Sequence, residues 1–333
     1  MRIAIFINKY LIQLLVAVMT LGLLVGYVYP AVGKKLNILY AIAQFVMLYP
    51  MMIEIRIGEV TSALSKLRFI SATMILNFIL SPLLAAALGY IFLSGHPDFA
   101  IGLIINGAVP SSAMLVTWTA MARGNAPLTL IVSVVSLLTG IVLIPICIWF
   151  LVGKYVHVDM LKMIEIVVYA VIIPLILGNL TRRWLVKKWG QEKFSQMRPI
   201  FPATSAIGMF LVFFISAVSQ SVVLVQNPQY VLVIMLPLIA FYSLIFIIAV
   251  LYAMAAKMTY PDMVSLYYSV SGKNVSIALV LALHFSQLTV MLVAIKPIIQ
   301  ISFMTAFFRI SPILERYWVK HAIGQKKTNP SQS

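Results

Sequence analysis

The chain has 333 residues, of which 62% are hydrophobic and only 10% charged, and its mean hydropathy is +1.05. Ordinary soluble domains carry about 45–50% apolar and about 25% charged residues, so a water-soluble globule has too little interior to hide this chain. The formal net charge of +16 has to be explained by a partner or by topology, and the lone Cys147 excludes a disulfide within the chain.

The apolar residues arrive in runs of about twenty, the length at which one helix crosses about 30 Å of hydrocarbon. In chain order the predicted spans are 8–29, 37–53, 69–93, 99–121, 126–152, 163–181, 200–224, 230–255, 263–283 and 286–308. The first run has no small-residue cleavage site and leads straight into further spans, so it is expected to be a retained helix. After Arg309 the chain turns polar and ends in Gly324-Gln325-Lys326-Lys327-Thr328-Asn329-Pro330, a tail with nothing from which to build a core. The expected fold class is an all-α polytopic membrane protein with ten transmembrane helices.

The placement of the basic residues accounts for the charge. With both termini on one side, that side holds eighteen Lys and Arg, among them Arg56, Lys66, Arg68, Arg123, the cluster Arg182 to Arg198, Lys257, Arg309 and Arg316. The other side holds only Lys34, Lys35, Lys154 and Lys162. Such a bias in short loops puts both termini in the cytoplasm of a cell inner (plasma) membrane. Anionic lipid is the expected partner of these charges, and no nucleic acid is required.

His96-Pro97-Asp98 opens the fourth span and Tyr260-Pro261-Asp262 opens the ninth, 164 residues later. Twelve residues after each Asp an apolar run is interrupted, by Pro110-Ser111-Ser112 in one case and by Asn274, after Ser271-Gly272-Lys273, in the other. Pro-Asp pairs are also ordinary helix starts, but here the pairing, the midspan breaks and the odd span count agree. Five spans per half make the second half enter the membrane in the opposite sense, an inverted repeat. The expected units are residues 1–157, residues 158–310 and a cytoplasmic tail, 311–333.

The broken spans carry the candidate chemistry. Pro110 lacks an amide proton and frees backbone groups, which in a membrane is tolerated only against protein or a water-filled cavity. Ser111 and Ser112 supply hydroxyls there, Asn106 lies one turn earlier, and Ser271, Gly272 and Asn274 supply similar ingredients in the ninth span. Lys273 lies about 15 Å from either end of its span, too deep to snorkel, so it needs water, a hydrogen-bonded cavity, neighbouring carbonyls or an anion, or else it gives up its proton. Lys296, followed by Pro297, poses the same problem in the tenth span.

All eight acidic residues fall at span ends or in loops, so neither lysine has a predicted midplane counterion. That arrangement repels sodium and favours an anion or an exchanging proton. An intramembrane enzyme would need a nucleophile or an acid pair at depth. None is visible, the four histidines sit at span ends or in loops, and no metal-ligand spacing occurs, so neither enzyme activity nor a cofactor is expected. The expected ligand is a small solute or ion. A channel would share the polar breaks and differ in its flux rate, while a purely structural or sensor protein would show no flux.

Three segments carry a resemblance. Ala113-Met114-Leu115-Val116-Thr117-Trp118 with Ala122-Arg123-Gly124-Asn125, Met47-Leu48-Tyr49-Pro50-Met51-Met52 leading to Ile55-Arg56, and Ser271-Gly272-Lys273-Asn274 with Ile277-Ala278 resemble the bile acid:sodium symporter superfamily, and within it the arsenical-resistance exporters. The resemblance implies a panel of spans one, two, six and seven, and a core of three to five and eight to ten in which helices four and nine cross. It also implies binding between the two parts and alternating access. The metalloid-binding cysteine of the arsenical branch matches Ser111, which cannot supply a soft thiolate. The sodium ligands of the bile-acid branch match Leu115, Val116, Ser269 and Lys273, and only the hydroxyls of Thr129 and Ser133 are retained. The expected function is a secondary active carrier of a small anion, sodium-independent, with proton exchange as a coupling route. The alternatives are export of a neutral metalloid hydroxide such as arsenite, sodium-coupled organic anion symport, or a channel.

Overall fold

In hydrocarbon every backbone N–H and C=O must find its partner inside the protein, so a chain of this composition is driven into helices. The computed structural model describes residues 10–36, 39–54, 66–112, 114–198 and 200–328 and shows an all-α polytopic membrane protein. Of the residues singled out in the sequence, Ile55, Arg56, Ala113, Asn329 and Pro330 lie outside the described ones.

The elements in order are α1 (Leu11–Val28), α2 (Pro30–Leu36), α3 (Tyr40–Glu54), α4 (Leu67–Phe92, with a π turn at Leu76–Leu80), α5 (Pro97–Ala108), α6 (Leu115–Met121) and α7 (Ala126–Val152). They continue with α8 (Met160–Val167, a π turn Val168–Ile172, then Ile173–Met197), α9 (Ile200–Gln226), α10 (Gln229–Ala255), α11 (Tyr260–Ser271), α12 (Val275–Ala282) and α13 (Gln287–Thr328). Among the described residues, five helices are long and apolar enough to cross a membrane on their own: α4, α7, α9 from Ala203, α10, and α13 up to Trp318.

Local chemistry sets the boundaries. Pro97 and Pro261 occupy the first turns of α5 and α11, where a missing N–H costs nothing, and Asp98 and Asp262 sit at the positive ends of those helices. Asn125 caps α7 by accepting from Leu128 N, and Asp159 caps α8 by accepting from Leu161 N and Lys162 N.

α1, α3, α8 and α9 pack on one another. Gly22 and Gly26, one turn apart on α1, let the α9 backbone approach so closely that a Cβ on Gly26 would sit 2.2 Å from Val218 O. Elements α4 to α7 and α10 to α13 pack around the remaining core, with Phe99, Ile104, Phe241 and Leu266 fully buried. Leu21, Leu24, Tyr90, Leu161 and Leu232 stay exposed, as expected of a surface that meets lipid.

The sixth predicted span, 163–181, lies within α8, which runs on through the basic segment and bends at Gly190, whose φ of 80° lies in the left-handed region. The stretch after Arg309, expected as a soluble tail, continues α13 through Pro312; Ser311 is buried, and Trp318 Nε1 donates to Met258 O at 2.8 Å. Leu314 and Trp318 pack against the core past the run used to place the span end.

Candidate functional site

α5 ends at Ala108 and α6 begins at Leu115; α11 ends at Ser271 and α12 begins at Val275. The two extended breaks meet as a short antiparallel bridge between Ser111 and Lys273, with Ser112 N donating to Gly272 O at 3.0 Å and Asn274 N donating to Pro110 O at 2.8 Å. Each break thus satisfies backbone groups that the other has freed. The fit is close: a Cβ on Gly272 would stand 1.9 Å from Leu115 Cδ2.

The carbonyls orphaned at the helix ends point into this crossing, and the fate of each can be followed. Gly107 O has lost its helical donor because Ser111 N turns to Ser136 Oγ at 3.0 Å. Ser269 O has lost its own because Lys273 N turns back to Ser271 O at 3.0 Å. In α4 the π turn sends Ser81 N to Leu76 O, and Pro82 has no N–H, so Asn77 O is also free.

Side chains fill these vacancies. Lys273, with 0% of its surface exposed, donates from Nζ to Asn77 O at 3.1 Å, Asn77 Oδ1 at 2.9 Å and Gly107 O at 2.9 Å. All three protons of its ammonium are therefore engaged. Ser269 O accepts from Ser111 Oγ and from Asn77 Nδ2, and Asn77 Nδ2 also reaches Ser111 Oγ at 3.0 Å. Ser133 Oγ donates to Ser112 O at 3.3 Å, and Asn274 Oδ1 caps α12 by accepting from Ile277 N.

Lys296 is equally buried but far less well served. Among the described residues its Nζ has one partner, Lys273 O at 3.4 Å, which Gln300 Nε2 shares at 3.3 Å. Tyr242 OH donates to Gln300 Oε1 at 2.9 Å and lies 3.4 Å from Asn106 Oδ1, while Asn106 Nδ2 has no partner among the described residues. Lys296 is thus tied to the backbone carbonyl of Lys273, not to any oxygen that its ammonium uses. Among the described residues no group of His, Cys, Asp and Glu could hold a metal ion.

Most of the sequence-derived candidates converge here: Asn106, Pro110, Ser111, Ser112, Ser133, Ser269, Ser271, Gly272, Lys273, Asn274 and Lys296. Thr129 stands apart, its hydroxyl directed at Thr119 Oγ1 and Asn125 O. Cys147 donates to Phe78 O at 3.2 Å and does not reach the ammonium network. Asn77, Ser136, Tyr242 and Gln300 were missed. A signal existed in the helical pairs Asn77 and Ser81 before Pro82, and Lys296 and Gln300, polar residues four apart on otherwise apolar runs.

Apolar helices that stop in midspan, with their freed backbone groups satisfied at a buried polar crossing, define a membrane carrier of a small solute. Residues 41–227 match the sodium bile acid symporter family, and the chain belongs to that family. It is 29% identical over 273 residues to an arsenical-resistance protein, Acr3, of Alkaliphilus metalliredigens, covering 76% of each chain. It is 25% identical over 284 residues to an uncharacterized transporter of Synechocystis, covering 77% of this chain and 74% of that one. A probable sodium/metabolite cotransporter of Arabidopsis thaliana chloroplasts is 24% identical over 216 residues, covering 64% of this chain and 52% of that one. The protein is a multi-pass secondary active transporter, and its function is transport rather than enzymatic catalysis.

Proposed function

We propose that the protein carries a small anion across the plasma membrane by alternating access, without sodium, and that the Lys273 ammonium takes the part a sodium ion plays in sodium-coupled relatives. The observation that carries this reading is the seat of Lys273 on Asn77 O, Asn77 Oδ1 and Gly107 O, with no carboxylate in the network among the described residues. Gly107 O at the negative end of the half-helix α5, together with the backbone and amide oxygens of Asn77 at the π turn of α4, makes a cation site. Here a cation tethered to the chain already fills it. Proton exchange on a buried lysine is the coupling route open to such a site.

Three contacts support a fold of ten spans in two inverted repeats. Asn125 Nδ2 donates to Asp262 Oδ1 at 3.0 Å, and Thr289 Oγ1 donates to Asp98 O at 2.9 Å. Pro110 O meets Asn274 N. The pairs 98 and 262, 110 and 274, and 125 and 289 all differ by 164, so these are reciprocal contacts of equivalent positions. The grouping of α1, α3, α8 and α9 supports a panel that rocks against a core holding the crossing. The charge bias supports cytoplasmic termini.

The arsenical-resistance relatives favour a second reading, export of a neutral metalloid hydroxide. The polar groups it would use are committed elsewhere: Ser111 Oγ to Ser269 O and the Cys147 thiol to Phe78 O. A thermal-shift screen of the purified protein against potassium salts of small anions and against arsenite, followed by flux of the best ligand in proteoliposomes, tests both. The anion reading expects the same flux when sodium is replaced by choline. A tenfold loss on replacement would overturn it.

A further inference from the structure

Two lysines lie side by side in the membrane interior, and they are not equivalent. Lys273 has its three protons on three protein oxygens. Lys296 has one long bond, at 3.4 Å, and as an ammonium it carries two further protons that meet no acceptor among the described residues. A desolvated ammonium with two unmet donors is costly, so its neighbours matter. Gln300 uses one of its two amide protons on the same carbonyl. Tyr242 has a single hydroxyl proton and gives it to Gln300 Oε1, its nearer partner. The remaining contact, to Asn106 at 3.4 Å, leaves one end of that fully buried amide without a partner in either orientation.

We propose that Lys296, with Gln300 and Asn106, forms the substrate-binding end of the site, and that it receives the oxygens of a carboxylate or small oxyanion. Lys273 is then the structural cation of the crossing. The inference rests on the anion reading above and goes beyond it by assigning the contact to α13 and the end of α5 rather than to the crossing itself. Because Lys296 and Gln300 share Lys273 O, a ligand that draws Lys296 away loosens one of the side-chain contacts that α13 makes with the crossing. Binding is thereby linked to the seating of α13 against the two broken helices.

The test uses the full-length protein in detergent and the potassium salts of acetate, nitrate, bicarbonate, sulfate and phosphate at constant ionic strength. Without added anion, Lys296→Met is expected to melt at or above the wild-type temperature, because it removes an under-bonded charge and keeps apolar bulk. The salt that most raises the wild-type melting temperature is expected to require at least tenfold higher concentration in Lys296→Met, and likewise in Lys296→Gln. A wild-type response retained in both variants would overturn the assignment to Lys296 while leaving the anion reading intact. A wild-type protein that responds to none of the salts would take down both. If both variants fail to fold, Lys296 is a structural cation like Lys273, and the division between them is wrong.

Discussion

Replacing Lys273 by Met removes three hydrogen bonds that tie α11 and α12 to α4 and α5. The bonds, at 2.9, 2.9 and 3.1 Å, all lie in the interior, and the deletion strands Asn77 O, Asn77 Oδ1 and Gly107 O. Interhelical hydrogen bonds in membranes contribute about 0.6 kcal/mol on average and about 1.7 at most. Three of them amount to about 2–5 kcal/mol. On removal of a partner the stranded acceptors cost more than the average bond, while the loss of a desolvated charge works in the opposite direction. With these two opposing effects taken to offset each other, the expected loss stays near the sum over the three bonds, about 2–5 kcal/mol. Lys273→Gln, which keeps amide protons at reduced reach, should lose roughly half as much. Equilibrium unfolding in mixed micelles, read by helix signal, measures the difference. The sequence alone presents Lys273 as a charge with no midplane counterion, whereas the structure gives it three protein oxygens and predicts that its removal weakens the fold. A Met variant as stable as wild type would refute the role of Lys273 as the cation that holds the crossing.

Gly272→Ala should destabilise by about 1–3 kcal/mol, because its Cβ would enter fully buried Leu115, and Gly272→Ala/Leu115→Ala should recover part of that in a thermal melt. Asn77→Leu should cost less in a Lys273→Met background than in wild type, since both changes break the same contacts; a double-mutant cycle that adds within error would disprove the coupling. Single cysteines placed at Gly95 and Gln191 in a Cys147→Ala background should label from outside and from inside respectively in intact cells, and outward labelling of Gln191 would invert the proposed orientation.

The sequence made the membrane class legible through run length, and it made both breaks legible because Pro110-Ser111-Ser112 and Gly272-Lys273-Asn274 join helix breakers to polar residues in the middle of apolar runs. Lys273 stood out for the same reason, but its partners did not. Asn77 becomes an acceptor only because a π turn diverts Ser81 N and Pro82 supplies no proton, and the hydrophobic pattern of the run does not mark that turn. Gln300 and Tyr242 look like scattered polar positions until α10 and α13 bring them to Asn106 and Lys273 O. The difference between the two lysines was likewise hidden, because burial and isolation from carboxylates are the same for both. Only the count of oxygens around each ammonium separates them.

A tethered ammonium that does the work of a sodium ion leaves the crossing no use for the free ion. The most direct measurement is the melting temperature of the purified wild-type protein in sodium, potassium and choline chloride at equal ionic strength, titrated to about 150 mM. A ligand present at one hundred times its dissociation constant stabilises the folded state by about 2.7 kcal/mol, well within reach of such a melt. The account predicts the same melting temperature in all three salts. A saturable rise specific to sodium would show that the crossing still binds the ion and would contradict it.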